Sequence, residues 1–254
     1  MDQENKYGTL AIQESLLRLL KAFDAFCNQH QIKYSLSGGS LLGAVRHHGF
    51  IPWDDDLDCV MDRSNYRKFS EAIKSCDTIF IDRLTSSSLW IDRLRLRECD
   101  YSGSYLPTMD IFVYDNCPDN PIRAKIKMLF IKMLQGMIKN KADLTKGSLL
   151  LKLCSLGCLV LGYPFSYATK RHWFDKVSQW WNGSSSRFVK IYNDQYFALK
   201  TLYPSNVMDI NKIVRLPFED TMVNGLAEYD RYLTLIYGDY MTPPVENKRV
   251  PQHL

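Results

Sequence analysis

SGGSLLGAVRHHGFIPWDDDLD, residues Ser37 to Asp58, decides how the rest of the chain is read. A Gly-Gly-Ser segment stands between a short apolar run, Ile32 to Leu36, and the helical spacing of Leu41 to Arg46. A strand, a glycine pair and a helix in that order present free backbone N–H groups at a helix N-terminus, where the dipole favours anions. Gly38, Gly39 and Ser40 are therefore candidate phosphate-binding residues, with Ser40 expected to cap the helix. Four aspartates follow within five residues, and carboxylate oxygens suit a hard divalent cation.

Leu57 to Met61 reads as a strand with Asp56 at its start and Asp58 within it, so the two carboxylates project to one face. The missing Gly at the sixth position and Glu at the twelfth exclude an EF-hand loop. Asp110 opens a later strand, Thr108 to Tyr114, and can bring a third acid to the same place. Arg46, His47 and His48 lie just past the helix, Arg46 as a candidate phosphate clamp. Trp53 is expected to pack beneath the acidic loop. On the alternating segment Trp90 to Arg97, Arg93, Arg95 and Arg97 share a face, and Arg97 is a further candidate for a diphosphate. No G-x-S-x-G elbow supports a serine nucleophile.

At 254 residues and 46% hydrophobic, the chain can bury a sizeable core. Its net charge is only +4, but Pro121 to Lys176 holds eleven Lys/Arg against two acids. Ile122 to Lys141 reads as a basic amphipathic helix. Leu153 to Thr169 has no charge and meets the lower length limit for a membrane span, with a buried or interfacial helix the simpler reading. Helices are also expected over Leu10 to His30, Ser64 to Ser75 and Glu228 to Tyr237, strands over Phe188 to Tyr192 and Ile213 to Phe218, and a loop at 183–186. Seven scattered cysteines, without a CxxC pair, point to a reducing compartment rather than to disulfides or zinc. The segment MDQENKYGTL lacks the pattern of a secretory signal, so a cytoplasmic location is expected. No nucleic-acid-binding module is recognisable.

These residues resemble the LicD/fukutin family of phosphotransferases, of the nucleotidyltransferase-fold superfamily. GGSLLGAVRHHGFIPWDDDLD with RSNYRKF is similar to the family's N-terminal signature and MDIFVYD to its second acidic strand. PFEDTMVNGLAEYDRYLTLIYGDYMTPP, ending near His253, resembles its C-terminal signature, with Asn224-Gly225 where the family more often has a proline. The resemblance implies an α+β fold with a mixed sheet flanked by helices, as one domain with core 1–120 and 188–254 and a basic helical segment over 121–187. It implies Asp56, Asp58 and Asp110 as catalytic and metal-holding residues, with Mg²⁺ or Mn²⁺. The implied reaction moves phosphocholine from CDP-choline, or a group from a CDP-alditol, to a hydroxyl of a surface glycan, glycolipid, teichoic acid or capsule. The basic segment 121–176 would then make peripheral contact with the inner face of the membrane. Two alternatives stand beside this reading: a metal-dependent glycosyltransferase using D-x-D, and a non-catalytic binding protein.

Overall fold

The computed structural model describes residues 6–82, 90–99, 106–139, 148–182, 186–193 and 201–251. In chain order the elements are α1 (Leu10–Gln29), β1 (Ser35–Leu36), α2 (Gly38–Arg46), β2 (Leu57–Asp62), α3 (Arg63–Ala72), β3 (Ile79–Asp82), β4 (Asp92–Leu96) and β5 (Met109–Cys117). Then come α4 (Pro121–Ile138), α5 (Leu149–Gly162), α6 (Tyr167–Ser178), β6 (Phe188–Ile191), β7 (Tyr203–Pro204), β8 (Ile213–Phe218), β9 (Thr221–Leu226) and α7 (Tyr229–Tyr237). This is an α+β chain with a mixed sheet flanked by helices. The loop expected at 183–186 lies mostly outside the described residues, as do the end of the helix expected to reach Lys141 and His253.

The chain divides into two compact units: Met1–Arg83, Asp92–Val113 and Asn206–Leu254 form one, Leu84–Ile91 and Tyr114–Ser205 the other. The division runs through β5, which groups β6 and β7 with the basic helices.

In the first unit the strands lie in the order β1-β2-β5-β4-β3. The β4–β5 pairing is antiparallel and sets Arg93 directly opposite Asp110. Helix α1 follows its apolar spacing, burying Leu16, Leu19, Leu20, Phe23 and Cys27 completely. Phe23 and Phe26 meet Phe69 of α3 edge-on at 5.6 and 5.8 Å. That helix starts at Arg63, one residue before the Ser64 start expected, and is capped by Asp62, whose Oδ1 accepts from the Asn65 N–H at 2.7 Å. Strand β3 has no counterpart in the sequence reading; its short apolar run Ile79-Phe80-Ile81 was the available signal.

Strands β8 and β9 form a hairpin through the two-residue turn Glu219-Asp220, with Glu219 at φ 51°. Arg215 joins this hairpin to α1 by a two-pronged pairing with Asp24, at 2.6 and 2.9 Å. Asp24 also accepts from the Tyr34 hydroxyl at 2.6 Å. Asn224 accepts from Arg215 at 2.9 Å, which gives the polar residue a structural task.

The second unit gathers a core of Trp90, Ile131, Leu134, Phe174, Val177 and Tyr192, with Trp90 stacked on Phe174 at 4.9 Å. One cation of the basic segment is structural. Lys127 is fully buried, donates to the carbonyls of Asn116 and Trp180 at 2.7 and 3.2 Å, and lies 4.4 Å from the Tyr192 ring centroid. The uncharged stretch is split between α5 and α6, which meet at a bend of 117°. Among the described residues no single helix is long and apolar enough to cross a membrane.

Candidate active site

Helix α2 begins three residues earlier in its motif than expected. Ser37, in extended backbone, occupies the cap position, and Gly38, Gly39 and Ser40 form the first turn. Gly38 has φ 53°, a conformation that side chains rarely adopt. A Cβ on Gly38 would lie 3.2 Å from Asp58 Oδ2, and one on Gly39 would lie 2.9 Å from Asp54 Oδ2. The glycines thus let two carboxylates close in on a helix N-terminus, where negative charge is favoured. The Gly38 N–H donates to the Tyr232 hydroxyl at 3.3 Å. The first bond of the helix runs from the Leu41 N–H to the Ser37 carbonyl, so the N–H groups of Gly39 and Ser40 have no partner within the helix.

Ser40 does not cap the helix. Its hydroxyl accepts from the Asp58 N–H at 2.8 Å and fixes α2 to β2 beside the acidic residue. The Ser37 N–H donates in turn to the Asp58 carbonyl at 3.0 Å. Helix and strand are held together through both the N–H and the carbonyl of one residue, Asp58.

The acids divide by environment. Asp55 is fully buried. Asp54 is hydrogen-bonded to Asp56, and its carboxyl is pushed up to about 8, first by loss of water and then by the neighbouring Asp56 and Asp55 charges. Asp54 therefore belongs with Asp56 and Gly39 rather than at a structural remove from them. Asp58 and Asp110 stand on neighbouring strands, and both push up the thiol of the buried Cys59, after the larger effect of burial. Arg93 donates from Nε to Asp110 Oδ1 at 3.1 Å, across the register pair.

A cavity of about 360 Å³ lies beside the acids, its lining including Gly39, Arg46, Trp53, Asp54, Tyr237 and Tyr240. Arg46 donates to the Tyr240 carbonyl at 2.6 Å, which holds its guanidinium at the cavity wall. His47 is pushed down, first by burial and then by the Arg46 charge. Trp53 faces Tyr7 and His47 edge-on and carries the Arg249 guanidinium over its ring at 5.3 Å. The loop after α2 is clamped by the hairpin turn. The Glu219 N–H donates to the His48 carbonyl at 2.7 Å, and Glu219 Oε1 accepts from the Phe50 N–H at 2.9 Å.

Arg97 goes elsewhere. It lies beyond the end of β4, donates to the Cys76 carbonyl at 2.9 Å and covers the Phe80 ring at 5.5 Å. Arg95 pairs with Asp82 at 2.8 Å. The shared face of the three arginines is real, but antiparallel neighbours supply each with a different partner. Arg93 is the one that the register delivers to Asp110. Sequence reasoning also missed Tyr232, Tyr237 and Glu219, which are far away in sequence and are brought in by the hairpin and α7.

Among the described residues, no three His, Cys, Asp or Glu side chains stand as a ready-made metal cage. The donors still fit a hard cation. Mg²⁺ takes one or two carboxylates and completes its shell with water and substrate phosphate, and the crowding of Asp54 against Asp56 and Asp55, which pushes the Asp54 carboxyl up, is what a cation would relieve.

Residues 31–126 match the family described as LicD/FKTN/FKRP, nucleotidyltransferase domain. The chain is 27% identical to the lipopolysaccharide cholinephosphotransferase LicD of Haemophilus influenzae, over 94% of this chain and 93% of that protein. Uncharacterized proteins of Rickettsia prowazekii and Rickettsia typhi are each 52% identical to it over 44 residues, 17% of this chain.

Proposed function

We propose, from the premise that this chain is a LicD-family phosphotransferase, that it moves phosphocholine from CDP-choline to a hydroxyl of a lipopolysaccharide glycan, with a divalent cation. The observation that carries this reading is the approach of Asp54 and Asp58 to the two glycines that open α2, within the segment matched to the family. The match to a cholinephosphotransferase over nearly the whole length supports the head group and the acceptor class.

Asp56 and Asp58 would hold the cation, which when bound offsets charge on the diphosphate. The Gly39 and Ser40 N–H groups face the donor phosphate at the positive end of α2, and Arg46 bounds the cavity that receives the nucleotide. Asp110 accepts the proton of the acceptor hydroxyl, oriented by Arg93. The hydroxyl oxygen forms a bond to the phosphorus that carries choline, the bond from that phosphorus to CMP breaks, and CMP leaves.

The test measures CMP release and product mass with CDP-choline and a lipopolysaccharide acceptor, against a panel of CDP-alditols and sugar nucleotides. CDP-choline is expected to be consumed, and Asp56→Ala is expected to abolish turnover while keeping its circular dichroism. Wild-type turnover by that variant, or preference for a sugar nucleotide, overturns the reading.

A further inference from the structure

Helix α5 is apolar and barely covered. Its sequence is LLLKLCSLGCLVLG, and Gly162 is its one buried residue. Leu149 is 74% exposed, Leu150 70%, Leu153 57% and Val160 64%. At 100° per residue, Leu149, Leu153, Leu156 and Val160 form one stripe and Leu150 and Leu161 a second beside it. Together they occupy about half of the circumference. The opposite side meets α4, where a Cβ on Gly162 would lie 2.5 Å from the Met137 carbonyl. Helix α4 adds exposed apolar groups of its own, Ile122 and Leu129 at 67% each.

So much contiguous apolar surface needs an apolar medium. The helix spans about 21 Å at 1.5 Å per residue, short of the roughly 30 Å of a bilayer core, so it does not cross. Charge selects the occupant. Helix α5 has no acid and one cation, Lys152, which lies at the edge of the exposed arc. The exposed side of α4 carries Arg123, Lys125 and Lys132 without an acid. Two copies laid face to face would bring these like charges together, and a flat seam would cover one stripe but not both. An anionic lipid surface satisfies both features, immersing the leucines and meeting the lysines with phosphate.

We propose that α5 is an interfacial helix, lying in the plane of a bilayer rich in anionic lipid and holding the protein at the membrane surface. This does not depend on the catalytic reading, and its test reads no catalysis.

Full-length protein is sedimented with vesicles of phosphatidylcholine alone or with about one-third phosphatidylglycerol, at low and high salt, and lipid-free protein is sized by analytical ultracentrifugation. Binding is expected with the anionic vesicles, weakened by salt and by neutral lipid. The double variant Leu149→Asp, Leu153→Asp is expected to weaken binding about ten-fold or more, and Lys152→Glu roughly five-fold or more. Leu149 and Leu153 are exposed and Lys152 is half-buried, and Leu149 and Lys152 stand in the first turn of the helix, where an acid is favourable, so the variants keep the fold. Absent vesicle binding, equal binding by the double variant, or indifference to lipid charge overturns the proposal. So does a lipid-free dimer that the same substitutions dissociate without any vesicle binding, which makes this face a self-association surface.

Discussion

The Ser40 hydroxyl accepts from the backbone N–H of Asp58 at 2.8 Å, tying the first turn of α2 to the strand that carries a central carboxylate. Ser40→Ala removes that acceptor from a largely buried pair. The expected cost is about 1–3 kcal/mol in urea unfolding, together with a fall in kcat, because Asp58 loses its fixed position. Unchanged stability and turnover would show that the bond does not position the strand.

Gly39→Ala tests the approach of Asp54. The added methyl would stand 2.9 Å from a carboxylate oxygen, so Asp54 must move. The expected result is a loss of activity of about ten-fold or more with a small change in melting temperature, since the site shifts and the core does not. Calorimetric titration with Mg²⁺ or Mn²⁺ is expected to weaken in parallel.

Arg93 and Arg97 separate a positioning role from a bystander. Arg93→Gln removes the guanidinium paired with Asp110 and is expected to lower kcat by about 10–100-fold with little change in KM for the donor. Arg97→Gln is expected to leave both constants within about two-fold of wild type, because its guanidinium serves the Cys76 carbonyl. A large donor KM effect from Arg97→Gln would restore it to the phosphate site.

Tyr34 links pH to stability. Burial, followed by the charge of Asp24, holds its phenol well above the ordinary tyrosine value. A folded pKa above the unfolded one means that stability is fully present below pH about 10 and is lost as pH rises beyond it. Unfolding free energy is expected to fall by about 1.4 kcal/mol per pH unit there, and Tyr34→Phe is expected to reduce that slope. An unchanged slope in the variant would assign alkaline unfolding to other groups.

The sequence by itself determined the elements that local pattern controls. Helix α1 followed from the spacing of Leu16, Leu20, Phe23 and Cys27, and β2 and β5 from apolar alternation around Asp58 and Asp110. The motif from Ser37 to Asp58 gathered acids and glycines along the chain, but which acid meets which glycine, Asp58 at Gly38 and Asp54 at Gly39, came from the fold. What tertiary structure decided is what those residues touch. Ser40 was legible as a helix cap but serves the Asp58 N–H, since the helix begins at Gly38 and the strand passes alongside. Arg93, Arg95 and Arg97 were equivalent in sequence; the antiparallel register set Arg93 opposite Asp110, while Arg95 reaches diagonally across to Asp82 and Arg97 lies past the end of β4. Tyr232, Tyr237 and Glu219 reach the site from more than a hundred and fifty residues away, through contacts that no local period encodes. Periodicity reports which face of an element is apolar; strand register and long-range packing decide which partner that face receives.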